Sequence, residues 1–262
     1  MNIVYDTLKA FMLLPAPSGY ERAMAYAMKD ALSPFVDEVN LDRIGNVIAR
    51  IQGSDSKSPR IMIYAHMDQL GMITRRIEPD GFIQVDRLGG LPEKVLPGLH
   101  LAIRSTDGQY HPAIIGMKSH HATPADEKYK VDPVTSLFLD VGARSAAQVR
   151  EMGIEIGCPA IYQPSFTALQ GTTICGTAVD NRGGCASLVG LASWLKENRP
   201  KSDVWLVGTV WEEFNLRGAT IAARAIQPDI ALCLDVVLAG DTPDLKSRYE
   251  ACLLYTSPSP RD

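Results

Sequence analysis

Six side chains able to do chemistry stand at the ends of apolar runs in this sequence. His66 and Asp68 close the run 60–65, and their spacing of two sends both side chains to one face of a strand. An imidazole there can bind a metal while the carboxylate orients it, or orients a catalytic glutamate. On those two residues alone, a histidine satisfied by ordinary hydrogen bonds is the competing reading. Glu212 and Glu213 end the run 204–210. Two adjacent carboxylates at the end of a buried strand are costly unless positive charge meets them. A bend at the strand end would let one bind a metal while the other addresses a water. The same acids would also suit the first turn of the helix predicted over 215–226. Asp180 and Asp235 follow strand-like runs as well, where acids often serve only as helix caps. Their combination carries the inference. One histidine and five carboxylates delivered to one edge of one sheet suit a pair of divalent ions about 3.5–4 Å apart, bridged by a carboxylate and an activated water. Zinc accepts such ligands while keeping a position open for water. Cobalt and manganese are allowed by the same ligand types.

The elements that must position these residues can be read from periodicity. Ile3, Val4, Leu8, Phe11, Met12 and Leu13 fall at helical spacing, and Pro15 and Pro17 stop that helix. Ser18-Gly19-Tyr20-Glu21 has the form of a capping box for a helix running to about Leu32. Residues 36–50 read as a hairpin with Gly45-Asn46 in its turn. Mostly apolar runs at 60–65, 204–210 and 230–234 are strands covered on both faces, and 184–196 is helical. Strands alternating with helices give an α/β sheet, with its site at the strand ends. Between 69 and 163 the texture changes to short alternating stretches parted by turn pairs such as Asp80-Gly81 and Asp107-Gly108. We read a β-rich domain there, inserted into an α/β domain made of 1–68 and 164–251, with hinges near Gly89-Gly90 and Gly171. Residues 252–262 have no periodicity and resemble the translation of a sequencing adapter. The expectation is that natural sequence stops near Ala251, an ordinary disordered tail being the alternative.

Of the 262 residues, 46% are hydrophobic and 21% charged, which allows a sizeable core. The net charge of −4 and the absence of any like-charge block exclude a nucleic-acid surface. No apolar run approaches the roughly 20 residues of a membrane span, and the start of the chain shows neither the basic region nor the small-residue cleavage site of a secretory signal. The five cysteines show no CxxC spacing, so free thiols in a reducing cytoplasm are expected.

The motifs also carry a resemblance. Ala65-His66-Met67-Asp68, Asp180-Asn181-Arg182-Gly183, Glu212-Glu213 with Leu216-Arg217-Gly218-Ala219, and Asp235 resemble those of the TET-type glutamyl and deblocking aminopeptidases, some of them formerly labelled endoglucanases. The likeness runs from about Leu8 to Gly240 and includes 41–46 and 140–143. It implies an α/β fold, a mixed sheet sandwiched by helices as in zinc peptidases, with a small β-barrel domain inserted. It implies two divalent metals per subunit, zinc or cobalt with manganese as a third choice. His66 and Asp235 would bind one metal, Glu213 the other, and Asp180 both. Glu212 would be the general base, and Asp68 would tune Glu212 or orient His66. The substrates would be short peptides, and the inserted domain would build dimers that assemble into dodecamers.

Two departures from the family pattern stand out. Asn215 occupies a position where glycine is more usual, which bears on the backbone rather than on chemistry. The family's second metal also has a late histidine ligand, beyond the last residue of this chain. His120-His121 reads as a surface loop and not as its replacement. Two alternatives therefore stay open: a catalytically incomplete fragment that keeps the fold and one metal site, and a related co-catalytic deacylase.

Overall fold

The computed structural model describes residues 3–237 and 242–243. Segment 252–262 and Cys252 lie outside the described residues. Helix α1 (Ile3–Met12) ends ahead of the two prolines, as expected, and buries Phe11 and Met12. Helix α2 (Arg22–Leu32) buries Met24, Ala25, Met28 and Leu32, one stripe at helical spacing. Strands β1 (Glu38–Leu41) and β2 (Val47–Ile51) form the antiparallel hairpin read at 36–50. Its turn is organised by Asp42 as much as by the glycine. One carboxylate oxygen of Asp42 accepts from the backbone N–H groups of Ile44, Gly45 and Asn46 at 3.0, 2.9 and 2.9 Å. Gly45 supplies the positive φ, +104°, that the turn needs.

Strand β3 (Ile61–His66) leads into six further strands: β4 (Gly71–Ile77), β5 (Ile83–Leu88), β6 (His100–Arg104), β7 (Tyr110–Gly116), β8 (Phe138–Asp140) and β9 (Pro159–Tyr162). They close into a barrel in the order β4-β5-β8-β7-β6-β9, with the short helix α3 (Ala146–Glu151) ahead of β9. Residues Ile83, Val85, Leu101, Ile103, Ile115 and Leu139 fill the barrel core. A small hairpin, β10 (Phe166–Ala168) with β11 (Ile174–Gly176), precedes α4 (Val179–Glu197), β12 (Val204–Thr209), α5 (Arg217–Ile226) and β13 (Ile230–Cys233).

The main sheet has the order β1-β2-β12-β3-β13. Strand β12 runs parallel to β3 and antiparallel to β2, and β13 runs parallel to β3. It is a mixed sheet with helices on both faces. Alternation along the strands makes this possible. Val47, Ala49, Ala65 and Leu206 face α1, α2 and α4, while Met62 and Val207 face Ala222 and Ile226 of α5. The expected fold class, an α/β sandwich with an inserted β-barrel, is the one observed.

Three local readings need correction. Ser18 does not cap α2. The residue preceding that helix is Glu21, without any side-chain cap, and the Ser18 hydroxyl donates to the Asp68 carboxylate instead. Residues 17–20 form a separate turn, the Tyr20 N–H donating to the Pro17 carbonyl at 2.8 Å, so Ser18 does not stand at the helix end. Gly89 (φ +83°) lies directly after β5 and Gly171 (φ +69°) in the β10–β11 turn, whereas the chain passes between sheet and barrel at 67–70 and 163–165. The glycines serve turns there. Helix α5 starts at Arg217 rather than near Asn215, because Asn215 and Leu216 are left-handed at φ 70° and 54°. The φ at Asn215 is one that glycine adopts freely.

Helix α4 approaches the sheet closely at Gly184, where a Cβ would stand 2.4 Å from Asn181 Oδ1 and 2.8 Å from the Cβ of Ala65, while at Gly183 it would meet nothing within 4 Å. We expect Gly184→Ala to destabilise the fold by about 1–3 kcal/mol through overpacking. Gly183→Ala should be neutral or stabilising by up to about 1 kcal/mol. Denaturant unfolding of the two variants checks the contrast, and equal effects would contradict this packing.

Candidate active site

Parallel strands β12, β3 and β13 end at one edge of the sheet, with Thr209 in register with His66 and Cys233 with Tyr64. His66 is the last residue of β3 and is 3% exposed. Asp235 follows β13 after Leu234, whose N–H donates to the Tyr64 carbonyl at 2.8 Å. Asp180 arrives from the first turn of α4, where it and Asn181 leave helical geometry (φ −77°, ψ 110° and φ −119°, ψ 43°) across a cis peptide. The Asn181 amide then ties the two elements together, donating to the Leu234 carbonyl at 2.7 Å and accepting from the Gly184 N–H at 3.0 Å.

These elements bring four of the six expected side chains around one imidazole edge. His66 Nε2 lies 2.9 Å from Asp180 Oδ1, 3.8 Å from Asp235 Oδ1 and 3.9 Å from Glu212 Oε2. His66, Asp180 and Asp235 each offer a ligand atom, all within 4.8 Å of one another. On the other side of the ring, Nδ1 lies 3.2 Å from the Asp68 carbonyl and 3.4 Å from Asp68 Oδ1. A hydrogen bond there holds Nε2 free to face the carboxylates. Glu213 stands apart from the trio, half-buried against the barrel, where a Cβ on Gly89 would lie 3.1 Å from its Oε2.

Asp68 is fully buried and organises the opposite wall. Its Oδ1 accepts from the Glu212 N–H at 3.0 Å, and its Oδ2 from the Glu213 N–H at 3.1 Å and from the Ser18 hydroxyl. Burial opposes its charge, but hydrogen bonds with His66, Ser18 and the Glu212 backbone hold its carboxyl below the usual range. Beneath it lies a group that sequence reasoning did not assign a role. Arg182 is wholly buried, donating to the carbonyls of Met67 and Leu14 and to Gln69 Oε1, the last at 3.1 Å. Burial pushes its pKa down to about 10, countered by the negative groups around it, so it stays charged. The motif Asp180-Asn181-Arg182-Gly183 was visible, but nothing in a sequence marks an arginine as buried. Asn46 and Glu21 were missed in the same way: both are buried and both bond the loop that carries the glutamates.

The electrostatics suit a cation. Burial alone would depress His66, yet hydrogen bonds to Asp180 and Asp68 and the charge of Glu212 raise it to about 10. Burial and then the neighbouring Glu212 push Glu213 up to about 7. Burial also raises Glu212, against the pull of His66. Carboxylates converging on one imidazole form a donor set fitted to a divalent metal such as zinc, cobalt or manganese. His120 and His121 lie in the exposed loop before β8 and join no such group among the described residues.

With this geometry in hand, comparison with known proteins gives a consistent result. Residues 45–254 match the family described as M42 glutamyl aminopeptidase. The chain belongs to that family. It is 31% identical over 242 residues to the lysyl aminopeptidase of Pyrococcus furiosus, covering 92% of this chain and 68% of the relative. Among solved structures, it superposes on the aminopeptidase APDkam598 of the archaeon Desulfurococcus kamchatkensis with a TM-score of 0.88 at 36% identity, covering 96% of this chain and 68% of that one. The Pyrococcus horikoshii TET1 peptidase, described as assembling into a tetrahedron or a large octahedral shell, gives a TM-score of 0.81 at 26% identity, covering 92% and 72%. The expected TET-type membership therefore holds for this M42 chain. The chain spans about two thirds of the length of its relatives, 66% of one and 68% of another. Among the described residues, no helix is long and apolar enough to cross a membrane.

Burial raises the Glu21 carboxyl from 4.5 to about 7. A carboxyl raised on folding stabilises the fold below its unfolded pKa, and that contribution is lost as pH climbs through the folded pKa. We expect the wild type to lose up to about 3 kcal/mol relative to Glu21→Gln between pH 4.5 and 8. Thermal unfolding of both across that range checks the sign. A difference that does not change with pH would contradict the burial of this group.

Proposed function

We propose that the protein to which this chain belongs is a metal-dependent aminopeptidase that removes N-terminal residues from short peptides. The reading is carried by the convergence of His66, Asp180 and Asp235 within 4.8 Å, with Glu212 beside them. His66 and Asp235 would hold one divalent ion and Asp180 would share it with a second held by Glu213. When bound, such ions polarise a peptide carbonyl and acidify a water.

The chain's own residues supply the remainder. Glu212 takes the proton of the attacking water on Oε2, the oxygen that faces His66 Nε2 at 3.9 Å. Its burial-raised carboxyl suits a base that later returns the proton to the leaving amine. Asp68 fixes the direction of Glu212 through the backbone N–H and the orientation of His66 through Nδ1. Metal identity among zinc, cobalt and manganese is left to measurement. Activity is assigned to the full-length protein, since this chain spans about two thirds of the length of its relatives.

We further propose that the barrel segment, 69–163, mediates self-association, toward dimers and a dodecamer. Assembly of the similar TET1 peptidase supports this. Four free cysteines among the described residues support a reducing, cytoplasmic setting.

Glu212→Gln in the full-length protein, assayed with aminoacyl chromogenic substrates, should lower kcat by about 10²–10⁴-fold. A chelator should abolish wild-type activity, and zinc or cobalt should restore it. Activity that survives both treatments would overturn the proposal.

A further inference from the structure

The loop that carries the two glutamates is closed at its far end by backbone bonds, the Gly218 N–H donating to the Val210 carbonyl at 3.1 Å. Its first four N–H groups are held by side chains. Strand β12 ends at Thr209, and the four N–H groups that follow find no backbone acceptor among the described residues. Each meets a side-chain oxygen from a distant segment instead. The Val210 N–H donates to Asn46 Oδ1 at 3.0 Å and the Trp211 N–H to Glu21 Oε1 at 3.1 Å. Those of Glu212 and Glu213 donate to the two oxygens of Asp68 at 3.0 and 3.1 Å. Asn46 also closes the far end of the loop, donating from Nδ2 to the Gly218 carbonyl at 3.0 Å. This clamp holds a backbone that would not rest there unaided, since Trp211 has φ 57° and Asn215 and Leu216 follow at 70° and 54°. Bulky residues adopt that region only when their surroundings over-determine it.

We propose that Glu21 is a positioning residue for Glu212: its Oε1 fixes the left-handed Trp211, and so the angle at which Glu212 enters the site. The inference rests on the reading of Glu212 as the base. Glu21 is suited to the task because it is buried (5% exposed) and its Oε1 is itself fixed by a second donor, the Gly19 N–H at 2.9 Å. A carboxylate left unanchored could not hold a strained turn. The role requires an acceptor oxygen at that point and no negative charge, so glutamine can serve and a side chain of the same length without a carbonyl oxygen cannot.

The test uses the full-length protein loaded with zinc or cobalt, and compares Glu21→Met, Glu21→Gln and Glu212→Gln for kcat, KM and bound metal. Misplacing a catalytic group by about 1 Å costs about 10²-fold. Glu21→Met should therefore lower kcat by about 10–100-fold with KM within about threefold and metal content unchanged. Glu21→Gln should keep kcat within about threefold of the wild type. Should Glu21→Met not fold, Glu21→Asp takes its place: it keeps a carboxyl, withdraws the acceptor by one methylene, and should show the same fall in kcat. Wild-type kcat in the acceptor-deficient variant, or an equal loss in Glu21→Gln, would overturn the positioning role. Wild-type activity in Glu212→Gln would instead overturn the assignment of the base.

Discussion

The site depends on one fully buried carboxylate. Asp68 turns its two oxygens toward the Ser18 hydroxyl and the N–H groups of Glu212 and Glu213, and toward the imidazole of His66. An ionised group at that depth is tolerated only when every lone pair is engaged and opposite charge lies near. Both conditions are met, the second by His66 and by Arg182 underneath, which is held by the carbonyls of Met67 and Leu14. Removing either partner of such an arrangement costs several kcal/mol, because the survivor stays buried. The Asp68 spot is therefore a structural keystone as well as part of the site. The proposed metal ligand His66, the proposed base Glu212 and the Ser18 hydroxyl all take their orientation from it.

Sheet geometry converts that constraint into a site. Parallel neighbours β12, β3 and β13 end at one edge, which is where open α/β sheets place their ligands. The barrel then reaches the same place: Gly89, just past β5, lies against Glu213. Beside it, Leu88 of the barrel joins Ser18, Gly19, Trp211, Phe214 and Arg217 of the α/β layer around an apolar pocket of about 220 Å³. The site is thus walled by both parts of the chain.

Much of this was legible in the sequence, for a physical reason. Strands covered on both faces are continuous apolar runs, so the polar residues that end them stand out. His66, Glu212 and Asp235 were found that way, and the β-rich texture after Gln69 marked the barrel. What was not legible depends on partners distant in the chain. Ser18-Gly19-Tyr20-Glu21 has the letters of a capping box, yet Ser18 bonds a carboxylate 50 residues away and Glu21 a backbone N–H 190 residues away. Gly89 looked like a hinge because a glycine's need for positive φ is the same in a hinge and in a tight turn. Arg182 was given no role because its burial is decided by Leu14, Met67 and Gln69, which no local pattern links.

The central claim is that His66, Asp180 and Asp235 share one divalent ion at the sheet edge. Anomalous diffraction at the zinc or cobalt absorption edge, from crystals of the full-length protein, tests it most directly. The account predicts a peak about 2.0–2.2 Å from His66 Nε2 and from a carboxylate oxygen of both Asp180 and Asp235. A peak coordinated by other residues, or none at that edge in protein that is active and metal-loaded, would contradict it.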